Sequence, residues 1–288
     1  MRRSHGAWAL VVLLAAVAVA WSGAASGAPR ALVHAPLAAG AAKESSTNWA
    51  GYAVMSPDPN APTSFTSVTA TWTQVAASCS TGDANAASAF WVGLGGYATT
   101  SQALEQIGTD SDCSSSGNPT YYAWYELVPD PPVNLKVKIN AGDTLTTSVN
   151  VSGSTVLLQM INRTRGWRFT KRVTTSDLDL TSAEWIAEAP SSCTRAGCTP
   201  VPLANFGSVA YSRIATIGNA HPGTLTDPSW TAVPIQLIPD ARRGGFFPGP
   251  EQGFITRNSN AGTSAPEELT ADGRGFTLSW LSNVTATG

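Results

Sequence analysis

Charge is scarce in these 288 residues: Asp, Glu, Lys and Arg make up 12% of the chain, about half the ~25% of an ordinary soluble domain. The 17 basic and 19 acidic residues leave a net charge of −2, so no basic patch suited to nucleic acid is available. Lysine occurs only at positions 43, 136, 138 and 171. A coiled coil or helical bundle, rich in Lys, Glu, Ala and Leu on a heptad, is thereby excluded. Histidine is limited to His5, His34 and His221, which is thin material for a zinc site. There is no Gly-x-Ser-x-Gly elbow, and no Gly-rich phosphate loop follows a strand. Intrinsic disorder is excluded by what is present: 10 Trp, 8 Phe and 6 Tyr, with 43% hydrophobic residues, enough to build a core.

The first 28 residues read as a secretory signal. Arg2 and Arg3 give the positive start, Ala7 to Trp21 is an uncharged apolar run, and small residues follow from Ala24 to Ala28. The run is shorter than the ~20 residues of a membrane span. Residues 29–46 are Ala-rich and read as a short pro-segment or a disordered N-terminus, and 47–288 as one domain. Removing the signal takes away His5 and leaves His34 and His221. The expected location is therefore extracellular. Four cysteines, Cys79, Cys113, Cys193 and Cys198, all follow the signal, and in an exported chain they read as two disulfides. Three connectivities are possible. Cys193–Cys198 with Cys79–Cys113 is the simplest, because the first pair closes a tight loop. Sequons stand at Asn150, Asn162 and Asn283.

No amphipathic helix follows the signal; apolar residues alternate instead with period two. Val68, Ala70 and Trp72 alternate with threonines, Leu135, Val137 and Ile139 with lysines, and Leu145 to Val151 continue the pattern. Ser152-Gly-Ser154 and Asn162-Arg-Thr-Arg-Gly166 are turns. Further strands are expected at Trp49–Met55, Ala89–Leu94, Leu104–Gly108, Tyr121–Val128, Glu184–Glu188, Phe206–Ile214, Trp230–Ile238 and Phe276–Leu281. Many short strands with turns between them predict an all-β, antiparallel two-sheet sandwich. Pro239–Gly253 reads as a loop.

His221, in a Gly-Asn-Ala-His-Pro-Gly turn, is a poor base for a serine triad. Acid–base work then falls to carboxylates and carboxamides, concentrated in Phe90-Trp-Val-Gly-Leu-Gly-Gly96, Leu104-Glu-Gln-Ile-Gly-Thr109, Tyr121-Tyr-Ala-Trp-Tyr-Glu126 and Ala183-Glu-Trp-Ile-Ala-Glu188. Strand alternation puts Tyr122, Trp124 and Glu126 on one face, Leu104, Gln106 and Gly108 on one face, and Glu184, Ile186 and Glu188 on one face. If these faces meet in a groove, Gln106, Trp124, Glu126 and Glu188 line it. A carboxylate walled by Trp loses hydration, so its pKa rises and it can take and return a proton. Taken singly, each residue has a plainer reading: Trp91, Trp124 and Trp185 as core aromatics, the Glu residues as solvated or paired carboxylates, Gln106 as an ordinary amide.

The order of the four patches resembles the glutamic peptidases, the eqolisin family. Asn48-Trp-Ala-Gly-Tyr52 looks like that family's first mature strand, and Gly142-Asp143 and Val201-Pro-Leu-Ala-Asn-Phe206 also fit. Residue by residue, Gln106 matches the family's catalytic glutamine and Glu188 its catalytic glutamate. Trp91, Trp124 and Glu126 match groove residues, and Cys193 with Cys198 matches the family's small disulfide. Gly95 and Tyr122 stand where well-known fungal members carry Asp. The resemblance implies a two-sheet sandwich with the dyad on its concave side. It further implies a monomeric acid endopeptidase acting on polypeptides without metal or cofactor. The rival reading is a secreted glycoside hydrolase or carbohydrate-binding sandwich, with Glu126 and Glu188 as acid and base; it has no general need for Gln106.

Overall fold

The computed structural model describes residues 32–34, 45–98, 100–194, 197–238 and 262–282. The signal-like stretch 1–28, the loop 239–253 and the sequon at Asn283 lie outside them. In chain order the strands begin with β1 (Leu32–Val33), β2 (Ser45–Ser46), β3 (Trp49–Met55), β4 (Phe65–Thr73), β5 (Ala89–Gly95), β6 (Leu104–Cys113) and β7 (Pro119–Val128). They continue with β8 (Val133–Asn134), β9 (Thr144–Ser152), β10 (Thr155–Asn162), β11 (Trp167–Thr174), β12 (Ser182–Glu188), β13 (Ser191–Thr194) and β14 (Gly197–Pro200). The last are β15 (Ser208–Gly218), β16 (His221–Gly223), β17 (Thr231–Leu237), β18 (Thr263–Pro266) and β19 (Phe276–Ser282). Among the described residues the only helical element is a 3-10 turn at Thr81–Asp83.

The strands form an antiparallel path, β11-β10-β9-β4-β15-β19-β18-β17-β3-β12-β5-β6-β7-β8, that folds over into two layers. Strand β15 turns the corner: Ser208–Tyr211 pair with β19, and Ser212–Gly218 pair with β4. The alternation read in the sequence is the cause of the layering. Val68, Ala70 and Trp72 of β4, and Val156, Leu158 and Met160 of β10, are buried in one core with Phe90, Val92, Ile107 and Trp185 of the other layer. The Trp185 indole also stitches the layers together, donating to Thr69 O at 2.9 Å. Burying such a side chain stabilises strongly, and its truncation to Ala costs about 3–5 kcal/mol.

Strands β5 and β12 are buried at every position. Their inner face joins the shared core. Their outer face carries a second apolar cluster that includes Trp49, Trp91, Trp124, Leu104 and Ile186. Period two here separates a core from a lined groove, not a core from water.

The expected strand at Leu135–Ile139 is absent. Pairing stops at Asn134, and Leu135 N–H bonds to Ala123 O at 2.8 Å just beyond it. Leu135 and Ile139 are nonetheless buried, so the alternation records packing without a ladder. Both turns occur where expected, joining β9 to β10 and β10 to β11. Asn162 is fully buried and donates to Asp143 Oδ2 at 2.9 Å, which closes that sequon to modification in the folded chain. Two disulfides are formed, Cys79–Cys113 and Cys193–Cys198. The second joins directly opposed residues of the β13–β14 hairpin.

Candidate active site

Register across β7, β6, β5 and β12 sorts the groove face into three rows. The first holds Glu126, Gln106, Gly93 and Glu184; the second Trp124, Gly108, Trp91 and Ile186; the third Tyr122, Asp110, Ala89 and Glu188. The middle row works because Gly108 has no side chain. A Cβ there would lie 2.6 Å from Trp91 Cβ and 3.0 Å from Trp124 Cζ2, so glycine lets the two indoles stand on either side of it.

The Gln106 amide is fully buried and spends both its protons in the groove. Nε2 donates to Glu126 Oε2 at 3.1 Å and to the backbone carbonyl of His34 at 2.8 Å. Gln106 Oε1 is buried with no hydrogen-bond partner. Glu188 is held from two sides. Trp91 Nε1 donates to Oε2 at 2.9 Å, and Asn48 Nδ2 lies 3.5 Å from Oε1. Ser46 Oγ donates to Asn48 Oδ1 at 2.8 Å, which gives the Asn48-Trp-Ala-Gly-Tyr52 segment a reason to stand next to β12. The structure thus joins Gln106 with Glu126 and Trp91 with Glu188. The register places Gln106 and Glu188 on one face, on the two strands that flank β5.

His34 is the residue the sequence reading missed. Its ring lies flat on Trp124, with centroids 3.5 Å apart and planes at 6°. Nδ1 is 3.2 Å from Glu126 Oε2, and Nε2 is 3.4 Å from Asp110 Oδ1 at an ion-pair distance without hydrogen-bond alignment. The His34 N–H also donates to Glu126 Oε2, at 3.2 Å. Burial alone would lower the imidazole pKa, but the charges of Asp110 and Glu126 and the hydrogen bond to Glu126 override it and push it up to about 10. Glu126 is raised by burial, with His34 acting against that. Nothing in the Ala-rich segment signals His34. Asp110 was within reach, because it continues the alternation of Gln106 and Gly108 by one more step.

Behind His34, Trp124 Nε1 donates to Asp110 Oδ1, and the Tyr122 hydroxyl is 2.8 Å from both Asp110 Oδ2 and Asp112 Oδ2. One hydroxyl proton cannot serve two carboxylates. Burial and the neighbouring Asp110 raise the Asp112 pKa well above its ordinary value, so its negative charge beside Asp110 is disfavoured. Tyr122, standing where a fungal Asp is expected, therefore links two carboxyl groups of β6.

A second acidic cluster lies at the far end of the first row. Gly95 has φ +83°, and a Cβ there would lie 2.5 Å from Asp179 O; Asp179 fills that space. Its carboxylate accepts from Gly96 N at 3.2 Å and from Ser101 Oγ. Burial first and Asp179 second push Glu105 up to about 9, and burial raises Glu184 well above the ordinary range. A cleft of about 740 Å³ adjoins this end, lined by Ser101, Ala103, Pro129, Asp177, Asp179 and Thr181. His221, on β16, is half-exposed and bonded to Asp227 at 2.9 Å. Among the described residues no helix is long and apolar enough to cross a membrane.

The profile of the Peptidase A4 family matches residues 47–236. The chain belongs to this family. Aspergillopepsin-2 of Aspergillus niger is 34% identical over 139 residues, 46% of this chain and 47% of its own length. The chain therefore aligns with about half of that curated relative. A crystal structure of scytalido-glutamic peptidase with a peptide-based transition-state analogue superposes with a TM-score of 0.60 at 25% identity, covering 82% of this chain and 98% of that one. SCP-B, an eqolisin solved with the tripeptide Ala-Ile-His, has the same fold at a TM-score of 0.58 and 24% identity, covering 82% and 98%. Peptidase A4 membership accounts for the order of the sequence motifs and for the two-layer architecture that carries them.

Proposed function

We propose that the chain is an exported acid endopeptidase of the glutamic type, with Gln106 and Glu188 as its catalytic pair. One observation carries the reading: a peptide carbonyl, that of His34, sits 2.8 Å from Gln106 Nε2 inside the groove. That is where an oxyanion-hole donor must stand. Glu188, as carboxylate, takes a proton from water. The resulting hydroxide adds to the carbonyl carbon, and Gln106 donates to the oxygen as negative charge develops there. The protonated Glu188 then passes its proton to the nitrogen, the C–N bond breaks, and an acid and an amine leave. An amide suits this place because it donates through nitrogen and accepts through oxygen, and Gln106 Oε1 is the acceptor left for the water. Trp91 fixes one Glu188 oxygen at 2.9 Å, which orients the carboxyl without neutralising it. The cleft beyond the first row would take the leaving-group side of the substrate. The leader-like residues 1–28 and the two disulfides support export.

Cleavage of unfolded casein at acid pH tests the assignment. Gln106→Glu and Glu188→Gln should each lower kcat by 10²-fold or more, with folding intact by circular dichroism; loss of one oxyanion donor alone is worth ~10²–10³. Activity near wild type in either variant removes the pair from the mechanism.

A further inference from the structure

Ser46 stands two hydrogen bonds from Glu188, in a stretch that the sequence reading left to a pro-segment or a disordered N-terminus. Strand β2 holds it there. It lies parallel on β17 with Ser46 opposite Leu237, and Ser46 O accepts from Ile238 N–H at 2.9 Å. The residue is 1% exposed. Its hydroxyl oxygen accepts from two backbone donors, Asn48 N–H at 3.2 Å and Trp49 N–H at 3.0 Å. A hydroxyl has two lone pairs and one proton. Both lone pairs are taken, so only the proton is left for the Asn48 side chain, 2.8 Å away. That proton needs an oxygen to receive it. Oδ1 therefore turns to Ser46, and Nδ2 is left facing Glu188 Oε1 at 3.5 Å. The reverse orientation would set the amide NH₂ against a hydroxyl with no lone pair free, and a carbonyl oxygen against the carboxylate.

The orientation matters to Glu188. Trp91 Nε1 donates to Oε2 and Asn48 Nδ2 faces Oε1, so each oxygen has a donor, and donors favour the ionised form of a carboxyl group. Across the ladder Glu188 stands opposite Trp49 of β3 and Ala89 of β5, neither of them ionisable. The titratable groups of its row are Asp110 and Tyr122, beyond Ala89, with His34 of β1 beside Asp110.

We propose that Ser46 is a positioning residue: it fixes the Asn48 amide so that both oxygens of Glu188 face donors, which keeps the carboxyl group charged for its work as base. The work as base rests on the peptidase reading; the orientation of the amide does not. A processed chain then has to retain Ser46 to be fully active.

The pH profile of casein cleavage, followed from pH 2 to 6, tests this on the full chain. In Ser46→Ala the amide is free to turn over and Oε1 loses its donor. The acid limb of kcat/KM should move up by about one pH unit, the scale of one hydrogen bond to a charged group. Ser46→Thr keeps the hydroxyl, and Ser46→Val has the shape of Thr without it, so the Thr variant should follow wild type and the Val variant should follow Ala. In Asn48→Ala the limb should already be displaced, and adding Ser46→Ala should move it no further. An unmoved limb in the Ala and Val variants, or a further shift in the double variant, overturns the proposal. Carbon NMR of the Glu188 carboxyl group, assigned through Glu188→Gln, should show the same upward shift in Ser46→Ala without any activity. If wild type cuts no casein but that carboxyl shifts, the peptidase reading falls and the positioning of Glu188 stands; if casein is cut and the carboxyl does not shift, the reverse holds. N-terminal sequencing of the active enzyme gives the last check: a fully active form that begins at Thr47 or Asn48 overturns the role of Ser46.

Discussion

Two acidic clusters share one sheet, and they hold buried carboxyl groups by different means. Around Asp110, Asp112 and Glu126 a cation is present: His34 lies between two of the three. Among the described residues, none forms an ion pair with Asp179, Glu105 or Glu184. Among the described residues neither glutamate forms an ion pair, and all four of their carboxyl oxygens are buried without a hydrogen-bond partner of normal geometry. An isolated ionised carboxylate in such a place is too costly to keep, so the group holds its proton instead. The raised pKa values of Glu105 and Glu184 express this. One cluster is balanced by a charge and the other by protons. The difference teaches that a fold with few basic residues can still bury acids, provided it operates where they are protonated.

The sharpest way to break the comparison is one isosteric substitution in each cluster. Asp110→Asn removes the charge facing His34 Nε2 and leaves a buried cation short of its partner; breaking a buried pair this way costs about 3–5 kcal/mol. Glu184→Gln replaces a neutral acid with a neutral amide and should cost under ~1 kcal/mol at pH 4. Urea unfolding at that pH compares the two. Equal losses would mean that both clusters depend on charge.

The pH dependence of stability is the next effect in size. Glu105 and Glu184 have folded pKa values above their unfolded ones, so folding binds protons and stability falls as pH rises. For Glu105 the loss begins near the ordinary value of 4.5 and ends near 9. Between pH 4.5 and 7 it amounts to about 3 kcal/mol at 1.4 kcal/mol per unit. His34 has the same sign: its contribution is complete below 6.5 and is lost as pH rises toward about 10. Asp143 opposes them. Burial works to raise its pKa, but Arg165, Asn162 and Asn140 N–H hold it down, so its contribution disappears as pH falls through that lowered value. Thermal melts should therefore show Tm rising from pH 8 to about pH 5 and levelling below that. A Tm maximum at neutral pH would contradict the protonated state of Glu105 and Glu184.

How much of this was legible in the sequence follows from the range of each signal. Alternation is local, so Trp49–Met55 and the layers built from β4, β9 and β10 could be read directly. The groove face could be read as well, since Gln106, Trp124 and Glu126 alternate with inward residues. Leu135–Ile139 misled because alternation reports which side chains are buried, while a ladder also needs a neighbouring strand to pair with, and pairing with β7 ends at Asn134. His34 was illegible for the opposite reason. A three-residue segment has no period, and its partners Trp124, Glu126 and Asp110 are 76 to 92 positions away along the chain.

A smaller effect than the pH dependence concerns the hydroxyl link between Asp110 and Asp112 within the first cluster. Tyr122 joins Asp110, which faces His34, to Asp112, whose pKa burial and Asp110 raise. Tyr122→Phe removes that link and leaves two buried carboxyl oxygens without their hydroxyl partner, at a cost of about 1–2 kcal/mol. Because the hydroxyl also steadies Asp110, the His34 titration, followed by proton NMR, should move by less than in Asp110→Asn and in the same direction. A shift as large as that of Asp110→Asn would mean that Tyr122, and not the carboxylate alone, sets the charge on the imidazole. No shift at all would confine the tyrosine to a packing role and leave Asp110 and Glu126 to hold the cation by themselves.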